Sequence, residues 1–193
     1  MTLRDFWVRL TLRGVHFTNR HAQLNQLYRA KDPWNLDTPR EKYRFTETNR
    51  LIQSAFGRPN KLLEIGCGEG IQSRYLREIC NELYGIDVAA RAVERAKESL
   101  PDCKFEAATL ETSTLARKEA PFDLVIAAEV LYYISDVRAS LELMESLGAA
   151  CFVTYYEKMA TKLDPIILER KNVRTAKFAR EGTSWTACWW NTD

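Results

Sequence analysis

The chain has 193 residues, 46% of them hydrophobic and 28% charged, with a formal net charge of +2. This length accommodates one domain with its own core, and the composition excludes a disordered, collagen-like or coiled-coil polymer. So small a net charge gives no electrostatic reason to expect a nucleic acid or an anionic membrane as partner, although residues 1–60 hold 11 Lys or Arg against 5 Asp or Glu and predict a mildly basic face there.

Up to Asn60 the pattern is helical. Amphipathic stretches from His16 to Ala30 and from Pro39 to Phe56 flank the turn-rich Lys31-Asp32-Pro33-Trp34-Asn35, which predicts two or three helices. Arg58-Pro59-Asn60 then breaks the chain. Within one domain spanning 1–193, residues 1–57 are expected to form a helical lid region and residues 58–193 a core. From Lys61 strand and helix alternate: strand 61–65, helix 70–80, strand 82–87, helix 89–99, strands 103–107 and 122–128, helix 136–147 and strand 150–156. Such alternation builds a mostly parallel sheet with helices on both faces. The helix at 89–99 is read from its stripe, because Ala92, Val93, Ala96 and Leu100 share one face, Arg91, Glu94, Arg95 and Lys97 lie off it, and Pro101 stops it. After Tyr156 only a short connection is expected before Val173–Trp190, two strands about the turn Glu181-Gly182-Thr183 that close the sheet as a hairpin.

Five cysteines (Cys67, Cys80, Cys103, Cys151 and Cys188) are odd in number and scattered, without a CxxC pair, and only His16 and His21 could join them around a metal. This argues against a zinc site and against a secreted disulfide framework. Arg4, Arg9 and Arg13 interrupt the apolar residues of the N-terminus, and no segment approaches the roughly 18 apolar residues needed to cross a bilayer. A reducing cytoplasm, with no membrane partner, is expected.

The densest motif is Leu63-Glu64-Ile65-Gly66-Cys67-Gly68-Glu69-Gly70, at the junction of an apolar strand and a helix. Alternate glycines let the backbone turn sharply and let a ligand lie against it with no Cβ in the way. One βαβ repeat downstream, Leu83-Tyr84-Gly85-Ile86-Asp87 ends a strand in a carboxylate, placed to hold a ribose diol or to cap the next helix. A dinucleotide site wants GxGxxG, because the pyrophosphate rests on the helix N-terminus. Here the spacing is GxGxG, and Glu64 stands two residues before the first glycine. A carboxylate there repels a pyrophosphate and suits a ligand that bears an ammonium and a sulfonium. Cys67, with no nearby His, reads as a small residue that fits the turn rather than as a nucleophile.

Glu64-Ile65-Gly66-Cys67-Gly68-Glu69-Gly70, Tyr84-Gly85-Ile86-Asp87 and Phe122-Asp123-Leu124-Val125-Ile126 together resemble the successive motifs of the class I S-adenosylmethionine-dependent methyltransferases, over about residues 60–156. The resemblance implies a Rossmann-like seven-stranded, mostly parallel sheet with the last strand antiparallel. It also implies S-adenosyl-L-methionine as cofactor and S-adenosyl-L-homocysteine as product. By the same resemblance Gly66 and Gly68 line the methionine part, Asp87 holds the ribose hydroxyls, and Ala108-Thr109-Leu110 borders the adenine, Thr109 standing where the family often has Asp. Glu64, Ile65, Cys67, Gly70, Val88, Glu129 and Val130 complete the expected cofactor-binding set. Asp32-Pro33-Trp34, Tyr43 and Ala128-Glu129-Val130-Leu131-Tyr132-Tyr133 narrow the resemblance to the NodS-like branch, whose nodulation members N-methylate the free amino group of a deacetylated chitooligosaccharide. A small-molecule or saccharide amine is thereby implied as acceptor.

Methyl transfer from a sulfonium is a direct displacement, so it needs neither a metal nor a covalent intermediate. Alignment alone supplies up to roughly 7–11 kcal/mol. An amine acceptor must arrive neutral, which costs about 1.4 kcal/mol for each unit by which its pKa exceeds the pH, and a carboxylate can take that proton. Glu129 directly follows strand 122–128 and is the catalytic candidate. The plainer readings are that it caps or hydrogen-bonds backbone, or that only its main chain touches the donor. Tyr133, with Tyr132, is expected to wall the methyl group, and Trp34 and Tyr43 to fold over the donor as part of the lid, where aromatic faces shelter a sulfonium; the plainer reading of each is an aromatic at an element end packed as core. Tyr155, Tyr156, Trp185, Trp189 and Trp190 are expected in the core. O- or S-methyl transfer, a donor-binding protein without activity, and a nicotinamide oxidoreductase are the competing functions, the last disfavoured because little chain remains for a substrate domain.

Overall fold

The computed structural model describes Thr18 and residues 21–192. Arg4, Arg9, Arg13 and the start of the amphipathic stretch from His16 lie outside the described residues. The first described helix, α1 (His21–Leu27), ends three residues short of Ala30. Helix α2 (Pro39–Phe56) follows, with sharp signals at both ends. Proline occupies its first turn, where no N–H is needed, the Thr38 hydroxyl accepts from the Glu41 N–H at 3.4 Å, and Gly57 at φ 67° ends it.

Strand and helix then alternate as β1 (Lys61–Ile65), α3 (Ile71–Ile79), β2 (Glu82–Asp87), α4 (Ala90–Ser99), β3 (Lys104–Ala107), α5 (Thr114–Glu119), β4 (Leu124–Ala128), α6 (Val137–Leu147) and β5 (Ala150–Tyr156). Helix α7 (Ala160–Ile167) and the hairpin β6 (Arg174–Arg180) and β7 (Thr183–Asn191) complete the fold. The seven strands form one sheet in the order β3-β2-β1-β4-β5-β7-β6. Strand β7 runs antiparallel to both β5 and β6, and every other pairing is parallel. The mostly parallel sheet is the one expected from the alternation of elements, and its seven strands with an antiparallel β7 are what the resemblance implies.

Period-two alternation sorts the apolar residues into two layers. Leu63, Ile65, Val125, Ala127 and Val153 pack on one face beneath α6 and α7. Leu62, Leu124, Ile126 and Phe152 pack on the other beneath α2, α3 and α4. Central strand β4 is buried along Leu124–Ala127, whereas edge strand β6 buries only Phe178 and exposes Arg174, Lys177 and Arg180, charges that discourage pairing with another chain. Strand order reverses between β1 and β4, and at such a switch point the connections diverge to opposite sides and leave a crevice beyond the carboxyl ends of the strands.

Two helices lie where none is expected. Helix α5 is too short to show an apolar stripe; it is held by its start, where Ser113 caps the Ala116 N–H at 2.9 Å and the Glu106 carboxylate of β3 accepts from Ser113 Oγ at 2.5 Å and Leu115 N–H at 2.9 Å. Helix α7 fills the connection after Tyr156 and carries Pro165 inside it, a residue that argues against a helix in sequence but is tolerated because Leu163 and Ile167 are fully buried beneath it. The expected strands at 103–107 and 122–128 begin at Lys104 and Leu124, Phe122 making only an isolated bridge to Gly148.

Gly85 of β2 faces the turn that follows β1: a Cβ there would lie 2.5 Å from the Phe105 ring and 3.0 Å from Cys67 Cβ. Gly85→Ala is therefore expected to destabilise the chain by about 1–3 kcal/mol through overpacking. Urea denaturation measures this, and an unchanged midpoint would show that Phe105 gives way freely.

Candidate functional site

A cavity of about 530 Å³ opens at the switch point, where the turns after β1, β2 and β4 meet the N-terminal helices. After β1 the chain reverses through Gly66 and Gly68, both at positive φ. A Cβ on Gly66 would lie 2.6 Å from a methyl of Val130, and one on Gly68 would lie 2.7 Å from the Tyr28 hydroxyl. Only glycine lets β1 and β4 end this close together while the N-terminal segment folds over them. Ile86 of β2 accepts hydrogen bonds from both Gly66 N–H and Cys67 N–H at 2.8 and 3.1 Å. Asp87, the last residue of β2, accepts from Gly68 N–H at 2.9 Å and Ala89 N–H at 2.8 Å. Asp87 thus caps the entry to α4, one of its two expected roles, and also faces the cavity. Burial raises its carboxyl pKa, while the N–H groups of Ala89 and Gly68 hold it down.

Glu64 lies on the same face of β1 as Leu62, so it points beneath α2 and α3 rather than into solvent. Ser73 of α3 donates to it at 2.5 Å. Beside it Arg44 of α2 is buried among polar groups. Its Nε donates to Glu41 at 2.8 Å and its Nη1 to the Gln72 side-chain oxygen at 2.8 Å. The Gln72 amide nitrogen is buried without a hydrogen-bond partner, a situation that costs about 1–3 kcal/mol unless a ligand supplies the acceptor. Glu41, Arg44, Glu64 and Gln72 line the cavity.

Glu129 follows β4 in the left-handed region at φ 59°, unusual for a residue with a side chain and worth about 1–3 kcal/mol of strain. Three hydrogen bonds hold it there: its N–H donates to Thr154 O at 2.9 Å, and its carboxylate accepts from Tyr132 Oη at 3.0 Å and Thr154 Oγ1 at 3.2 Å. Burial raises the Glu129 pKa against the nearby charge of Arg44 and these two hydroxyls. Each carboxylate oxygen keeps a further acceptor position. Around it, the Tyr132 and Tyr133 rings lie 4.7 Å apart and Trp34 sits 5.5 Å from Tyr133, with the Trp34 indole N–H donating to Tyr28 Oη at 2.9 Å.

Of the residues singled out in the sequence, Trp34, Glu64, Ile65, Gly66, Cys67, Gly68, Asp87, Val88, Ala108, Thr109, Leu110, Glu129, Val130 and Tyr133 converge on this cavity. Two do not. Gly70 adopts φ 78° at the start of α3 and packs against Ala96 and Ser99 of α4, so it shapes the turn from behind. Tyr43 projects about 100° around α2 from Arg44, and its ring meets Phe178 and Arg180 instead of lining the cavity. Tyr156 and Trp185, expected as core, line the cavity as well. Sequence reading missed Tyr28, Glu41, Arg44 and Gln72; the only hint was Glu41 and Arg44 one helical turn apart, a spacing common on solvated helix faces.

Burial is the main reason that the Glu64 pKa rises from 4.5 to about 7, with Ser73 and Arg44 pulling it down and Asp87 adding to the rise. The native state therefore keeps a proton between those two values that the unfolded chain releases. This contribution to stability is complete below 4.5 and lost as pH rises through about 7. Urea midpoints across that window are expected to fall more steeply in the parent chain than in Glu64→Gln, and parallel curves would remove Glu64 as the source.

Comparison with known proteins gives the family. The family model described as Nodulation protein S (NodS) matches residues 17–150. Nodulation protein S of Sinorhizobium fredii (strain NBRC 101917 / NGR234) is 33% identical over 122 residues, covering 63% of this chain and 56% of that protein. The Rhizobium tropici protein of the same name is 31% identical over 125 residues, covering 64% and 52%. The chain thus spans about half the length of the curated relatives it matches. Among solved structures, N-methyltransferase NodS from Bradyrhizobium japonicum WM9 in complex with S-adenosyl-L-homocysteine superposes with a TM-score of 0.74 at 25% identity, covering 90% of this chain and 98% of that one. The plantazolicin methyltransferase BpumL, at 13% identity and a TM-score of 0.66, shares the fold. On the length and position of the family match, this chain belongs to the Nodulation protein S (NodS) family.

Proposed function

We propose that this chain is an S-adenosylmethionine-dependent N-methyltransferase whose acceptor is a small-molecule or saccharide amine. The observation that carries the reading is the continuity of one cavity from the Gly66–Gly68 turn and Asp87 to the pinned carboxylate of Glu129. The name and bound product of the Bradyrhizobium N-methyltransferase support it. A cytoplasmic setting suits the five buried free thiols.

The residues fit the donor on chemical grounds. The buried carboxylate of Glu64 and the partly buried ones of Asp87 and Glu129 favour a ligand with two positive centres, and the orphaned Gln72 amide asks for an acceptor. When bound, the donor supplies a methyl group on a sulfonium. The chain does the rest by placement: the bare backbone at Gly66 and Gly68 permits close approach, Asp87 accepts hydrogen bonds from a sugar diol, and Ala108, Thr109 and Leu110 border the base. Trp34, Tyr132 and Tyr133 exclude water from the far end. There Glu129 accepts a proton from the acceptor nitrogen, its raised pKa bringing it nearer to the working pH.

Glu129→Gln is expected to lower turnover by about 100-fold or more while S-adenosylhomocysteine affinity stays unchanged. Steady-state rates with an amine panel and isothermal calorimetry measure the two quantities. Unchanged turnover at all pH values would remove Glu129 from the chemistry. Absence of binding heat for S-adenosylhomocysteine would overturn the donor assignment, and binding without methyl release to any amine would overturn the N-methyltransferase reading.

A further inference from the structure

We infer that Arg40 binds an oxyanion of the methyl acceptor. The acceptor is then an amine with a carboxylate or phosphate at the end of its body away from the reacting nitrogen. The inference rests on the N-methyltransferase reading above and deepens it by naming the charge class of the acceptor. Strand β5 lays out the path from Glu129. Thr154 donates to Glu129, and Tyr156, two residues further on, shares its face of the sheet. Tyr156 pairs with Trp185 of β7, and Thr183 stands two residues before Trp185 on that face. Tyr156, Thr183 and Trp185 line the cavity together with Arg40.

Helix α2 brings Arg40 to this end of the cavity. Arg44 reaches Gln72 in the first turn of α3 and Asn49 reaches Tyr75, so the two helices run side by side in the same direction. The turn that carries Arg40, about 6 Å along the axis from Arg44, therefore projects past the start of α3. It meets the hairpin instead: the Tyr43 and Phe178 rings lie 6.4 Å apart, and Phe178 stacks on Trp185 at 5.6 Å.

The guanidinium is held with one edge open. Arg40 Nε donates to Glu41 at 3.0 Å, whereas its two Nη groups make no hydrogen bond among the described residues. The other oxygen of Glu41 accepts from Arg44, so one carboxylate serves two guanidinium groups. The pair with Glu41 accounts for Nε alone. The open Nη edge matches two oxygens of a carboxylate or phosphate. Trp185 asks for the same chemistry: it is 3% exposed, and its indole N–H, which can only donate, has no acceptor among the described residues. Lys158, over the Tyr156 ring at 5.4 Å, adds a positive charge, while Asp37 and Glu157 are paired with Lys42 and Lys177. The cavity thus offers a carboxylate to the acceptor nitrogen at Glu129 and hydrogen-bond donors to the far end of the acceptor.

The test is steady-state methyl transfer to matched acceptors: γ-aminobutyrate against aminobutanol, phosphoethanolamine against ethanolamine, and glucosamine phosphate against glucosamine. In at least one pair the acidic member is expected to have a kcat/KM about 10- to 100-fold higher, chiefly through KM, and the pair that shows it identifies the source of the oxyanion. Arg40→Gln should bring that ratio toward one. Arg40→Lys should keep part of it, because the charge remains without the fork, and Arg40→Glu should favour diaminobutane over γ-aminobutyrate. Unchanged S-adenosylhomocysteine affinity by calorimetry shows that each variant is folded, and Arg40→Gln decides the matter even if Arg40→Glu does not fold. No acidic preference in any pair, or one that survives in Arg40→Gln, would overturn the inference while the N-methyltransferase reading stands. If S-adenosylhomocysteine binds and no amine is methylated, that reading falls and the inference with it.

Discussion

The Asp87 carboxylate, accepting N–H groups from Gly68 on one side and Ala89 on the other, is the contact on which the crevice depends. It joins the turn after β1 to the end of β2. It adds to the two bonds that Ile86 O accepts from the Gly66 and Cys67 N–H groups, which tie the same two ends together. A carboxylate bonded to two backbone amides also brings partly buried negative charge to the carboxyl edge of the sheet, and those amides limit the rise in its pKa. Gly66 and Gly68 complete the arrangement, since a Cβ on either would collide with Val130 or Tyr28.

The N-terminal segment is fastened to the same turn. Glu69 accepts from the Asp32 N–H at 2.7 Å and pairs with Arg95 of α4, which also donates to Ala30 O at 3.1 Å. Asp32 in turn accepts from the Leu36 N–H at 2.7 Å and shapes the loop that carries Trp34. Trp34 is then braced by Tyr28, whose hydroxyl also stands over Gly68. The glycine motif and the segment that carries Trp34 are thus one hydrogen-bonded unit.

Charge within the cavity is unbalanced in a useful direction. Among the described residues, Glu41, Glu64, Asp87 and Glu129 line the cavity with one deeply buried cation, Arg44, and the partly exposed Arg40. Such groups are expensive to bury alone. Most are held by specific donors: Ser73 for Glu64, backbone amides for Asp87, and Tyr132 and Thr154 for Glu129. What remains unsatisfied, above all the Gln72 amide, marks where the protein by itself leaves a polar group without a partner.

The amino-acid sequence by itself determined the alternation of strands and helices, the two-layer core and the glycine turn with its carboxylates, because these are local: period-two and helical apolar patterns, and glycine at positions that need positive φ. Helix α5 was not legible, since its start is organised by Glu106 from β3, and α7 was masked by Pro165 and stabilised only by burial of Leu163 and Ile167. The Arg44–Gln72 meeting and the placement of Tyr43 against Phe178 were decided by tertiary structure alone. Whether a residue on α2 faces the cavity or packs against β6 depends on how the helix is rotated against the sheet, and that rotation is set by packing between residues far apart in the chain.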